Sequence, residues 1–270
     1  MAAEFEKNSF SKRLKSMFAV DFRRMLVSPI FYIMVGISLV MPILILVMTT
    51  MMDGTVSVNP QTGVETVMEG FDSVWQIIGS VSGGESAGMG MGMDITSMCN
   101  INMMFFVVAV FVSIFIGEEF RSGYVKNLFT VRADKKDYII SKSVVCFVAG
   151  AVMLIAFFVG SMLGGAMAGL PFAMEGVTVG NVIMSMLSKI FLVGIFVSIY
   201  ILAAVIAKPR LWMSILLCLG IGMLMFTMIP IISPLNSTII HVLLSLVGSI
   251  LFSVGIGVGS YYILKKSNLI

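Results

Sequence analysis

The sequence predicts an all-α integral membrane fold with six transmembrane helices and both termini in the cytoplasm. Two observations carry this. Of 270 residues, 59% are hydrophobic and only 11% charged, with a mean hydropathy of +1.06. A soluble domain is roughly one quarter charged, so the apolar surface of this chain needs lipid to cover it. The apolar residues also fall in long unbroken runs, where a membrane barrel would show short alternating strands, and helices are the remaining way to satisfy backbone groups in lipid.

Six runs approach the roughly 20 residues needed to cross a bilayer: 27–51, 100–117, 144–169, 181–207, 211–229 and 242–264. Together they form a single transmembrane domain. With the N-terminus inside, the inner segments hold sixteen of the seventeen lysines and arginines, and the outer segments hold seven of the fourteen acids with no basic residue. That asymmetry sets the orientation by the positive-inside rule. Residues 1–26 carry Lys7, Lys12, Arg13, Lys15, Arg23 and Arg24 without an apolar h-region, which argues against a signal peptide. Phe10, Leu14, Met17, Phe18, Phe22 and Met25 recur there at helical spacing, so the segment reads as a basic amphipathic helix in the membrane interface. Ser28-Pro29 then breaks it.

The exception to the charge rule is Lys189, inside the fourth run. It can snorkel outward along its aliphatic stem or pair inside the bundle, as intramembrane charges usually do.

The outer loop, 52–99, contains Val64, Val67, Met68, Phe71, Val74, Trp75 and Ile78 in helical register, which predicts a helix over about 64–78. Gly, Ser and Met dominate the stretch after it, with Met89, Met91 and Met93 alternating. Thioethers suit soft Cu(I), but 25 methionines are spread through the chain, and a flexible apolar loop accounts for them as well. Pro230 and Pro234 bracket a short apolar stretch between the last two runs. They predict a broken, re-entrant segment over 230–241, which membranes tolerate where protein or a water-filled cavity covers it.

There is no HExxH or P-loop motif, and the single histidine, His241, lies near the outer end of the last run. Glu118-Glu119 would open an EExxxR motif, but the position needing Arg is Gly123. The widely spaced Cys99, Cys146 and Cys218 form no metal or disulfide framework. The chain is therefore expected to be neither an enzyme nor a nucleic-acid binder, and to bind no cofactor itself.

The inner segment 118–143 mixes charge with apolar residues at helical spacing, among them Tyr124, Leu128, Val131 and Tyr138. It reads as an amphipathic helix parallel to the membrane that offers Arg121, Lys126, Arg132, Lys135 and Lys136 to lipid head groups or a cytoplasmic partner. Here the sequence resembles the permease subunits of ABC-2 type transporters. That family places a Glu, an Arg two residues on and a Gly two further on at the inner end of the second span, then an amphipathic coupling segment, an Arg, and a Lys opening the third span. Glu119, Arg121, Gly123, Lys126, Asn127, Leu128, Arg132 and Lys142 follow that order, with Tyr124 where bacterial members commonly have Thr.

The resemblance, which extends to the layout of a type V exporter, implies half of a translocation pore and a cytoplasmic coupling helix between spans two and three. A separate ATPase subunit, in two copies, would supply ATP and Mg2+ chemistry, and a second permease chain, identical or paralogous, would complete the pore in the cell membrane. The coupling residues it implies are Glu118, Glu119, Arg121, Gly123, Tyr124, Lys126, Asn127, Leu128 and Arg132, with Glu119 and Arg121 paired to set the angle of the coupling helix. It also implies a path lined by Met103, Phe106, Val110 and Ser113 of the second span and Leu216, Met223 and Thr227 of the fifth. Their apolar character suits a hydrophobic or amphipathic cargo such as an antimicrobial peptide, drug or lipid-like molecule. Competing readings are a membrane scaffold, immunity or sensor protein, and an ATP-independent carrier. The carrier would be expected to show repeats and mid-membrane ionisable residues, and only Lys189 is of that kind.

Overall fold

The computed structural model describes residues 2–58, 65–67, 70–79, 99–131, 134–208, 210–226 and 228–266. Arg132, Thr227 and the alternating methionines Met89, Met91 and Met93 lie outside these described residues.

Helix α1 (Ala2–Val27) ends where Ser28, extended at φ −70° and ψ 122°, precedes Pro29 at the first turn of α2 (Pro29–Met52). The clash of the proline ring with the preceding residue forces that break. Helix α3 (Met104–Arg121) follows a 3-10 turn at Ile101–Met103, and a short helix α4 (Tyr124–Val131) succeeds it. Helices α5 (Lys135–Ala168) and α6 (Val179–Ala207) lead to α7 (Leu211–Phe226), the one-turn α8 (Ile229–Ile232) and α9 (Ile239–Lys266). Among the described residues, five helices, α2, α3 with its leading turn, α5, α6 and α9, are long and apolar enough to cross a membrane, while α7 is apolar but shorter.

The core lies where α3, α5 and α6 meet; Val108, Ala149, Met153 and Val193 are fully buried there. Helices α2 and α9 flank it and turn apolar faces outward, including Leu44, Met48, Leu244 and Leu251. Such faces are lipid-compatible surface in a multi-pass membrane protein. The α2–α5 crossing depends on Gly160 and Gly164, spaced as in G-x-x-x-G. A Cβ on Gly160 would sit 2.1 Å from the Leu39 carbonyl oxygen, and one on Gly164 would sit 2.7 Å from the Ile43 Cα. The missing side chains let the two backbones touch, which is how spans associate without a hydrophobic driving force between them. Helix α9 is joined to α6 by hydroxyl pairs instead, Ser188 with Ser245 at 2.7 Å and Ser198 with Ser253 at 2.9 Å.

The outer segment departs from expectation. In place of a helix over 64–78, Glu65–Val67 pairs antiparallel with Val56–Val58, and among the described residues of that stretch only Val74–Ile77 is helical, as a 3-10 turn. β-Branched residues favour the strands, and Gly70 interrupts the apolar period, its N–H donating to Asp53 Oδ1 at 2.9 Å. The apolar side chains are still used. Phe71, Val74, Ile77 and Ile78 are buried on top of the bundle, and the Trp75 indole N–H donates to the Phe172 carbonyl at 2.6 Å.

The inner boundaries also shift. The second span's helix runs through Arg121, and that of the third begins at Lys135, nine residues before 144. A cluster of paired charges accounts for both extensions.

Candidate functional site: a charge clamp beneath the second and third spans

Polar side chains from three helices meet at the inner end of the bundle. Asp21 comes from α1, Glu119 from the last turn of α3, and Tyr138, Ser141 and Lys142 from the first turns of α5. Asp21, Glu119, Tyr138, Ser141 and Lys142 are all 1% exposed or less. Charges so deeply buried are tolerable only when paired and hydrogen-bonded, and these are. The Lys142 ammonium donates to Asp21 Oδ1 at 2.6 Å and to Glu119 Oε1. The Tyr138 hydroxyl donates to Glu119 Oε2 at 2.8 Å, and the Ser141 hydroxyl to Asp21 Oδ2 at 2.6 Å. Arg24, on α1, closes the cluster from the solvent side by pairing with Glu119. Two carboxylates thus face two cations, and the buried charge sums to zero.

Aromatic faces complete the cluster. The Arg24 guanidinium lies 4.4 Å from the Tyr124 ring centroid, and the Lys142 ammonium 4.8 Å from that of Phe115, distances at which cation–π attraction operates. Burial pulls the Arg24 pKa down, but Glu119, Tyr124 and Asp21 more than offset it and hold it above its ordinary value. Arg24 therefore remains charged across the physiological range. A second ion pair, Arg13 with Asp137 at 3.2 Å, joins the middle of α1 to the first turn of α5. Together these contacts fasten α1 to α3 and α5 at once.

Tyr124 opens α4, and Gly123, at φ +74°, makes the turn into it. That left-handed conformation is open to glycine without Cβ strain. One face of α4 packs inward through Val125, which is buried, and Leu128, half-buried; Lys126, Asn127 and Thr130 are exposed on the other. Glu118, Arg121 and Ser122 extend this exposed polar surface.

A family model described as ABC-2 family transporter protein matches residues 22–225, more than half of the chain. The chain belongs to the ABC-2 transporter family. It is a transmembrane component of an ABC transporter, and ABC-2 permeases normally work with an ABC ATPase partner. Neither a curated protein nor a solved structure matches the chain. The matched region includes Asp21's neighbour Phe22, the Arg24–Glu119–Lys142 clamp, α4 and most of α7.

The ABC-2 layout needs several corrections within this chain. Glu119 does not pair with Arg121. Residues two apart on a helix point away from one another, so Glu119 turns into the clamp while Arg121 is exposed and makes no ion pair among the described residues. Glu118 is exposed too. Gly123, Tyr124, Lys126, Asn127 and Leu128 gather around α4.

The path residues are not brought together in one chain. Met103, in the 3-10 turn before α3, and Phe106 and Val110 on α3 are half-buried, and Ser113 is fully buried. Phe106 meets α7 at Gly222, whereas Leu216 and Met223 point outward from α7, 59% and 67% exposed.

Lys189 does not snorkel. It is 1% exposed, and its ammonium donates to the Ser233 carbonyl at 2.6 Å, the Ser233 hydroxyl at 3.1 Å and the Ser185 hydroxyl at 3.3 Å. It thereby pins the broken segment after α8, where Ser233, Leu235 and Ser237 are buried.

Asp21, Arg24, Tyr138 and Lys142 were absent from the candidate coupling set. The available signal was Asp21 itself, a carboxylate four residues from Met17 and from Met25 on the apolar stripe of α1. A charge on the buried face of an amphipathic helix requires a partner.

Proposed function

We propose that this chain is the permease of an ATP-driven exporter, driven by a separate ATPase subunit that docks on α4 and the inner part of α1. The observation that carries this reading is the clamp. It joins the interfacial helix, the end of α3 and the start of α5 into one body directly beside the exposed face of α4. A push on α4 or α1 therefore moves two spans together, because separating the clamp would leave charges unpaired in a low-dielectric interior. Glu118, Arg121, Lys126 and Asn127 supply the polar docking surface, and Glu119 with Arg24 transmits the load.

In this reading two ATPase subunits hold ATP and Mg2+, and two permease chains, identical or paralogous, form the pathway. The outward Leu216 and Met223 of α7 then face the second chain, with α3 behind them. Helix α7, roughly 24 Å long, serves as the fifth of six spans, with α8 and the pinned segment filling the outer leaflet behind it. The basic inner segments support a reading in which the chain sits in the cell membrane with both termini in the cytoplasm. An apolar wall of Phe, Met and Leu suits a hydrophobic or amphipathic cargo.

The test is co-purification. The tagged chain, extracted from its native host in mild detergent, should carry a Walker-motif ATPase, and Lys126→Glu with Arg121→Glu should release it. Absence of such a partner across several detergents would remove this reading in favour of a scaffold or sensor without transport of its own.

A further inference from the structure

A cleft of about 440 Å³ opens at the junction of α1 and α2, lined by Val20, Arg23, Arg24, Val27 and Ser28. This volume falls within the range of small-ligand sites, roughly 300–1,000 Å³. Its polar wall is strongly cationic. Arg23 is exposed and makes no ion pair among the described residues. Arg24 spends one nitrogen on Glu119 and keeps about a third of its side chain accessible. Ser28 makes no side-chain capping bond to the N-terminus of the 24-residue helix α2, and the positive end of that helix lies at this junction. The rim is apolar. Leu26 is 50% exposed and Val27 73% exposed, and Tyr32 and Ile33 continue this surface along the outside of α2.

A basic cleft that runs directly into an exposed apolar helix face has the shape of an amphipathic anion. We propose that it holds the phosphate headgroup of an anionic phospholipid, with Arg23 as the principal ligand and the acyl chains lying along Val27 and α2. This rests on the reading of α1 as an interfacial helix. An arginine fork matches phosphate oxygens in a bidentate way, and Arg24 can contact the same phosphate while still paired with Glu119. Bound lipid would thus sit against the clamp and tune it through Arg24.

The purified full-length chain, without any ATPase, is delipidated in detergent and offered phosphatidylglycerol or phosphatidylcholine, and retained lipid is counted by native mass spectrometry. Wild type should retain phosphatidylglycerol in preference to phosphatidylcholine. Arg23→Gln should weaken that retention about five-fold, the scale expected for one basic residue at an anionic surface. Val27→Trp, which fills the cleft without altering charge, should weaken it too, while Lys265→Gln with Lys266→Gln should leave it unchanged.

Equal retention of both lipids, or an Arg23→Gln or Val27→Trp chain that binds as wild type does, would overturn the proposal. So would an equal loss in the C-terminal variant, which would mean diffuse attraction to basic residues. Displacement by excess inorganic phosphate would identify a small-anion site and reject the lipid. Because no ATPase is present, failure here is distinct from failure of the exporter reading.

Discussion

The two ends of the bundle bury cations in opposite ways. At the inner end, Lys142 sits between Asp21 and Glu119, with Arg24 balancing the second carboxylate. At the outer end, Lys189 is equally buried but rests on a carbonyl and two serine hydroxyls. The inner cluster is neutral in sum and spans three helices. The outer site has no carboxylate among the described residues and ties one span to a broken segment. Paired charges make an attachment that is costly to open, because each half would be left uncompensated. A cation on neutral oxygens costs less to release, since water can replace those partners. The clamp is therefore the stiffer of the two attachments.

The largest test of this contrast is Lys142→Met. It leaves buried Asp21 without a cation and Glu119 with Arg24 alone, and should cost about 3–5 kcal/mol, read as a large fall in melting temperature or in yield of folded protein in detergent. A variant that melts like wild type would mean the clamp holds nothing together. Next is Arg24→Gln, which removes the partly exposed member. The stability loss should be smaller, about 1–2 kcal/mol after solvent screening. In the assembled transporter, ATP hydrolysis should persist while transport falls; parallel loss of both would place Arg24 in folding alone.

Lys189→Met should change stability by no more than about 1 kcal/mol, because the hydrogen bonds it gives up are offset by no longer burying an unpaired ammonium. A collapse as severe as that of Lys142→Met would erase the contrast. The smallest effect should come from Arg121→Ala. An exposed residue with no ion pair should shift stability within about 0.5 kcal/mol, so any loss of coupling in that variant reports on docking. Full coupling at normal expression would exclude Arg121 from the ATPase surface.

Much of the architecture is legible in the residues. Long apolar runs mark where helices can lie in lipid, and Ser28-Pro29 and Pro230 with Pro234 mark where they stop, because hydropathy and proline sterics act locally. The stripe of α1 is legible for the same reason: Leu14, Met17, Phe18, Phe22 and Met25 need only a helical period. The outer segment is not legible in this way, because its apolar spacing suits a helix while its β-branched residues and Gly70 do not, and a pairing with Val56–Val58 decides between them.

The clamp was only half legible. Glu119 and Lys142 stand in the ABC-2 pattern, but their partners on α1 lie about 100 positions away in sequence, and no local rule joins them. So composition and local order determined that this chain lives in a membrane and which segments are apolar enough to enter it. Tertiary structure alone decided which charges meet, that Gly160 and Gly164 let α2 lie against α5, and that Lys189 turns inward to Ser233. The physical reason is range. Hydrophobicity and backbone sterics act within a few residues of chain, whereas a buried ion pair is chosen by whichever helices the packing brings within about 3 Å.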